Sequence, residues 1–242
     1  MEEQQPLDIL AFAAHPDDTE LSCSGTLASQ IALGNRVGVI DFTRGEMGTR
    51  GTADIRDREA AEASKILGLS LRDNMGFRDA FFADDDTHCL ALVRMIRLYR
   101  PRILLANAPQ DRHPDHGRAA RLTERAFFLS GLSKIETEYD GEPQLPWRPL
   151  VMYHYIQSEY IQPDFVVDIT PFWDKKIAAI RAFKSQFYDP ESEAPETFLS
   201  TPEFMEFLQA RAKELGQSIR VRYGEGFLKQ RQLGVEDLFD LI

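Results

Sequence analysis

Two short runs in this chain combine imidazoles and carboxylates in a pattern suited to metal-assisted hydrolysis. One is His15-Pro16-Asp17-Asp18-Thr19-Glu20, and the other is His113-Pro114-Asp115-His116. Hydrolytic zinc sites commonly take three protein ligands from histidine and carboxylate and leave a position open for water. His15, Asp18 and His116 can supply two neutral imidazoles and one carboxylate. Asp17 adjoins a ligand but is expected to point to its other side. There it can take a proton from a water whose pKa the metal lowers toward about 7, which is the role of a general base. His113 precedes His116 by three residues, a spacing at which the two are not expected to share one coordination geometry on a turn. It is therefore assigned to the substrate side, donating to the oxyanion of a tetrahedral intermediate or protonating the leaving amine. Asp115 is expected to hold the His113 ring and favour its protonated form.

These residues act together only if the fold delivers both runs to one edge of a sheet. Residues 7–14 (LDILAFAA) form an almost unbroken apolar run, the pattern of a strand buried on both faces. Residues 36–42 and 102–107 read the same way, and a short strand is expected at 71–75. Helices are expected at 25–33, at 53–67 up to Gly68, at 85–99 before Pro101, and at 116–129. Alternating strands and helices imply parallel βαβ units with right-handed crossovers. Residues 151–157 and 165–169 resemble later strands of the same sheet, with helices at 171–183 and 201–215. Residues 139–149 read as a surface connection and 188–197 as a loop or lid. The expected architecture is an α/β, Rossmann-like, mostly parallel sheet flanked by helices, as one domain over residues 1–242. Both histidine runs then follow strands, at the carboxyl edge where such sheets bind ligands.

The glycine-rich segment 43–52 lies on that edge with Arg44, Arg50 and Arg56. Guanidinium groups bind carboxylates bidentately, although spacing alone fits solvated surface arginines equally well. Glu46 and Arg112 have the same standing, with Arg112 adjoining His113. His154, within Tyr-His-Tyr, reads as packed in a strand, and His88 as a residue of a polar helix start.

Composition narrows the partners. The chain has 242 residues, 43% hydrophobic, with a formal net charge of −11. Such an acidic surface repels a phosphate backbone, so nucleic acid is not an expected partner. Cys23 and Cys89 alone imply no disulfide framework. The acidic start lacks a secretory signal pattern, and no apolar run approaches the roughly 20 residues that span a bilayer. A cytoplasmic protein without membrane attachment is expected.

The two histidine runs resemble the PIG-L (LmbE-like) family of metal-dependent N-deacetylases. That resemblance implies removal of acetyl from N-acetylglucosamine linked to various aglycones. It implies His15, Asp18 and His116 as zinc ligands, Asp17 as general base, and His113 as oxyanion stabiliser with Asp115 beside it. Further segments are similar to the bacillithiol-pathway deacetylases: Thr43-Arg44-Gly45-Glu46, Gly48 to Thr52, Ile55-Arg56 with Glu59, Asn107-Ala108-Pro109 through Gly117, Tyr153 to Gln157, Asp164 to Ile169, and Lys184 to Tyr188. The subgroup resemblance implies hydrolysis of N-acetylglucosaminyl malate. It places Arg56 on sugar hydroxyls and Arg112 toward the malate carboxylates, with Glu46 and Tyr188 as further substrate contacts. It also implies a homo-oligomer, a trimer or hexamer.

Other readings remain open at this point. The same chemistry fits inositol-linked N-acetylglucosamine, a chitooligosaccharide or a thiol conjugate. Iron(II) or another divalent ion can replace zinc on these ligands, and a ferrous oxygenase triad is a further alternative. A non-catalytic nucleotide-binding module is disfavoured, because His-Pro-Asp-Asp stands where a G-x-G-x-x-G turn would follow the first strand.

Overall fold

The computed structural model describes residues 5–188 and 191–240. Residues 1–4 of the acidic start and residues 189–190 of the expected loop lie outside the described residues. From the amino terminus run β1 (Ile9–Ala13), α1 (Asp18–Ser22), α2 (Ser24–Ala32), β2 (Val37–Thr43), α3 (Ala53–Leu67), β3 (Leu71–Phe77), α4 (Asp86–Tyr99), β4 (Ile103–Ala106) and α5 (Pro114–Ser130). A two-stranded hairpin, β5 (Glu138–Tyr139) and β6 (Glu142–Pro143), occupies the expected surface connection. The chain continues with β7 (Val151–Tyr155), β8 (Phe165–Asp168), α6 (Trp173–Arg181), α7 (Pro202–Ser218) and β9 (Gly224–Lys229). Among the described residues, no helix is long and apolar enough to cross a membrane.

Local chemistry sets several boundaries. Thr52 caps α3 by accepting from the Ile55 N–H, and Gly68 ends that helix at φ 85, a left-handed conformation suited to glycine. Asp85 caps α4 through the His88 N–H at 2.9 Å. Helix α5 opens with Pro114 in its first turn and His113 as its N-cap, so the second histidine run straddles a helix start. The helix expected at 25–33 is preceded by a separate short helix, because the chain breaks at Cys23 (φ −138) between α1 and α2.

The seven-stranded sheet has the order β3-β2-β1-β4-β7-β9-β8. Strands β3, β2, β1, β4 and β7 pair in parallel, and β9 runs antiparallel between β7 and β8. The strand order reverses at β1 and β4, so the loops carrying His15 and His113 leave adjacent strands in the crevice where such sheets bind ligands. Both faces of the sheet are covered. Leu10 and Phe12 of β1 pack with Leu92, Val93 and Ile96 of α4, whereas Ile9 and Ala11 face Leu27 of α2. Burying a leucine or phenylalanine fully is worth roughly 1.5–3 kcal/mol, so alternate residues of one strand anchor two helical layers.

Strand β9 is absent from the sequence expectation. Its segment Gly-Glu-Gly-Phe-Leu-Lys is rich in glycine and charge, yet the strand is paired on both sides, between β7 and β8. Gly224 lies against Val166 and Gly216, where a Cβ would meet atoms at 2.6 and 2.9 Å. Between the glycines, Glu225 points inward and pairs with the buried Lys176 at 2.7 Å.

Candidate metal centre and active site

Asp18 opens α1, and its carboxylate lies between the two expected imidazole ligands. One oxygen is 3.7 Å from His15 Nδ1, and the other is 3.1 Å from His116 Nε2. Three donors orient it: the His15 N–H at 3.0 Å, the Asn107 amide at 3.0 Å and the Gln157 amide at 3.1 Å. The Asn107 amide also donates to Gln157 Oε1 at 3.0 Å. His116 is held from behind, its Nδ1 2.6 Å from Asp111, which presents Nε2 toward Asp18. A carboxylate behind a ligating imidazole is a recurrent device for fixing tautomer and ring orientation.

The electrostatics suit a cation. Burial opposes a charge on His15, but Asp115, Asp79 and Asp18 more than offset it and push its pKa to about 10. Burial likewise lowers that of His116, yet Asp18 and Asp111 raise it to about 9. Burial works against ionisation of Asp18 too, and the two imidazoles hold its carboxyl well below the usual range. Two imidazoles and one carboxylate, each oriented by buried polar groups, form a donor set appropriate to a catalytic divalent metal.

Asp17 turns the other way. Its carboxylate lies 2.9 Å from Arg56 Nη2, and the same guanidinium donates to the Pro16 carbonyl. Asp17 has φ 124, a conformation unusual outside glycine, worth roughly 1–3 kcal/mol of strain. Burial raises its pKa most, Arg56 opposes this and Asp18 adds to it, so that it stands at about 6. A carboxylate with that value can take a proton near neutral pH.

His113 lies close beside the expected ligands, and the expectation about its partner Asp115 is corrected. The His113 ring centroid is 4.7 Å from that of His15 and 5.2 Å from that of His116, and ligand nitrogens of the three rings lie within 4.8 Å of one another. As N-cap of α5 it precedes His116 by three residues, roughly one helical turn, so both rings reach one side. The Asp115 carboxylate does not hold the His113 ring. It lies 3.4 Å from His15 Nε2, accepts the Ala80 N–H at 3.0 Å and receives Arg118, and only the Asp115 N–H meets His113 Nδ1, at 3.3 Å. Burial and the neighbouring charges of His15 and His116 lower the His113 pKa, against the expected protonated form.

His15, Asp17, Asp18, His113 and His116 border a cavity of about 350 Å³. Arg56 and Arg112 line it. Glu46 and Tyr188 are not among its lining residues. Glu46 accepts the Asp79 N–H at 2.8 Å and the Arg44 N–H at 3.2 Å, which ties its carboxylate to the loop backbone. Tyr188 is half exposed at the start of the 188–197 loop. Of the other loop arginines, Arg44 pairs with Asp54 and Asp57, and Arg50 donates to Ser192. His154 contacts the Asn107 carbonyl and Glu124.

Sequence reasoning missed Asp79, Asp111, Asn107 and Gln157 as site residues. Asn107 and Gln157 each follow a buried strand at the ligand-binding edge, and that position was the available signal. Asp79, 3.1 Å from His15 Nε2, follows β3 without a motif.

Comparison with known proteins gives this geometry relatives. The family model described as GlcNAc-PI de-N-acetylase (PIG-L) matches residues 10–127. A diacetylchitobiose deacetylase from Thermococcus kodakarensis is 28% identical over 205 residues, covering 80% of this chain and 75% of the relative. A 1D-myo-inositol 2-acetamido-2-deoxy-alpha-D-glucopyranoside deacetylase from Acidothermus cellulolyticus is 28% identical, covering 74% and 79%. A 4-oxalmesaconate hydratase from Pseudomonas putida is 29% identical, covering 73% of each. Among solved structures, the conserved protein TT1542 from Thermus thermophilus superposes with a TM-score of 0.85 at 39% identity, covering 95% of this chain and 98% of that one.

Proposed function

We propose that the chain is a deacetylase of the PIG-L family acting on an amide C–N bond, that its substrate is N-acetylglucosaminyl malate and that its metal is zinc. The observation that carries the reading is the division of the two adjacent carboxylates: Asp18 between the imidazoles, Asp17 turned onto Arg56. Two like carboxylates would be redundant in a binding module, whereas ligand and base are separate needs in hydrolysis.

His15, Asp18 and His116 would hold the ion. When bound, it supplies Lewis acidity toward the acetyl carbonyl and toward water. Asp17 takes the proton of the attacking water, and Arg56 keeps that carboxylate ionised and aimed. His113 donates to the developing oxyanion, a contribution of roughly 10²–10³ in turnover for a single donor. The amine of the sugar leaves once Asp17 has passed to it the proton taken from water. Arg112, on the cavity wall beside His113, supplies a guanidinium for the malate carboxylates.

The test is acetate release from N-acetylglucosaminyl malate, compared with inositol and chitobiose conjugates, by protein loaded with zinc or iron(II). Turnover with the malate conjugate, lost in Asp17→Asn while metal content persists, is expected. No acetate from any conjugate, together with hydration of 4-oxalmesaconate, would overturn the reading.

A further inference from the structure

The catalytic cavity continues past the ligand cluster along one face of α7. Phe204, Phe207, Leu208, Arg211, Ala212 and Leu215 all line it, at the three- and four-residue spacing of a single helical face. Most of this face is anchored in the protein interior. Phe207 is the exception, an aromatic ring 41% exposed beside the cavity. Phe198, 47% exposed, lies edge-on to Phe204 with ring centroids 5.4 Å apart, and Phe207 follows at 6.3 Å from Phe204.

Two cations frame these rings. The Arg112 guanidinium lies 4.5 Å from the Phe198 ring centroid, and that of Arg211 lies 4.8 Å from Phe207. Arg211 is committed, since it donates to the carbonyls of Gln157 and Ser158. Arg112 makes no ion pair among the described residues, so its fork is available to an anion. Carboxylate recognition therefore sits directly beside apolar, aromatic surface.

We propose that this α7 wall is a subsite for the part of the substrate beyond the sugar, and that it takes a 2-hydroxy-acid aglycone bearing an apolar or aromatic side group next to its carboxylate. The proposal rests on the deacetylase reading and widens it. Arg112 serves the carboxylates of malate, and an aglycone with a benzyl group beside its carboxylate would in addition stack that ring on Phe207 and displace water from it. Arg112 keeps the carboxylate common to both aglycones. Phe207 is thus a specificity-determining residue that meets the aglycone and not the scissile amide.

The experiment compares three N-acetylglucosaminides differing only in aglycone: phenyllactate, malate and methanol. Acetate release gives kcat/KM for each with the metal-loaded enzyme. The phenyllactate conjugate is expected to exceed the methyl glycoside by at least about tenfold, mainly through KM. In Phe207→Ala, the phenyllactate-to-methyl ratio should fall about tenfold, and Phe207→Tyr should largely retain it. Using the ratio removes any general loss of folded enzyme. Equal turnover of the phenyllactate and methyl conjugates, or a ratio indifferent to Phe207→Ala, overturns the subsite while the deacetylase reading stands. Absence of acetate from all three overturns the deacetylase reading itself.

Discussion

Arg56 and Asp17 face each other at 2.9 Å, Nη2 to Oδ2, with both side chains buried. Arg56 comes from the first turns of α3 and Asp17 from the turn after β1, so the pair links the glycine-rich loop side of the site to the proposed base. The guanidinium also takes the Pro16 carbonyl, clamping the strained turn in which Asp17 has positive φ.

One consequence concerns pH. Burial raises the Asp17 pKa and Arg56 opposes that rise, the balance standing at about 6. The proposed base acts as a carboxylate, so activity should be lost as pH falls through its pKa. A bound divalent cation adds a further lowering effect, which places the acid limb of kcat/KM at or below about 6. Arg56→Met removes the main opposing charge and should move that limb to higher pH. A pH–rate profile decides this, and an unmoved limb would disconnect Arg56 from the base.

Metal uptake should release protons. In the protein without metal, His15 and His116 hold protons up to about pH 10 and 9, whereas ligation needs neutral imidazoles. Near neutral pH, binding of zinc should expel up to two protons, and affinity should weaken as pH falls. Calorimetry in two buffers of different ionisation enthalpy counts the protons. The folded pKa values lie above the unfolded value of about 6.5, so these ion pairs stabilise the metal-free fold fully below that pH. Their contribution disappears as pH rises through about 9–10, which thermal melts of chelated protein should record.

The groups behind the ligands should matter for affinity. Gln157 and Asn107 orient Asp18 through their amides. Replacing Gln157 by Ala leaves all three ligands in place yet should weaken metal binding by roughly 10–100-fold, the usual effect of removing such support. A competition assay with a chromophoric chelator measures it. Unchanged affinity would mean that Asn107 and the His15 N–H suffice.

The Lys176–Glu225 pair ties α6 to β9 and to the break between α1 and α2. Lys176 Nζ also donates to the carbonyls of Glu20 and Leu21, and Glu225 accepts the N–H groups of Gly25 and Thr26. Lys176→Met would leave a buried carboxylate without its cation and should destabilise the fold by roughly 3–5 kcal/mol. Urea unfolding checks the magnitude. A loss under about 1 kcal/mol, the scale of an exposed pair, would show that the backbone donors alone carry Glu225.

Much of the parallel half of the fold was readable because its signals are local. The run at residues 7–14 is apolar throughout, Gly68 stops α3, and Pro101 follows the end of α4. Strand β9 was hidden for a physical reason. Its glycines are selected by close approach to Val166 and Gly216, and its glutamate by a lysine 49 residues away, so neither resembles a strand residue in isolation.

The site divides along the same line. Sequence by itself determined the donor types: two His-Pro-Asp runs, each following a buried strand, name the imidazoles and carboxylates and the sheet edge that must carry them. Only the tertiary structure decided how those groups are partnered. It turned Asp17 onto Arg56, gave the Asp115 carboxylate to His15 and not to His113, and set Asp111, Asn107 and Gln157 behind the ligands. A hydrogen bond depends on positions within a few tenths of an ångström, and those positions come from strands and helices that meet only when the chain is folded.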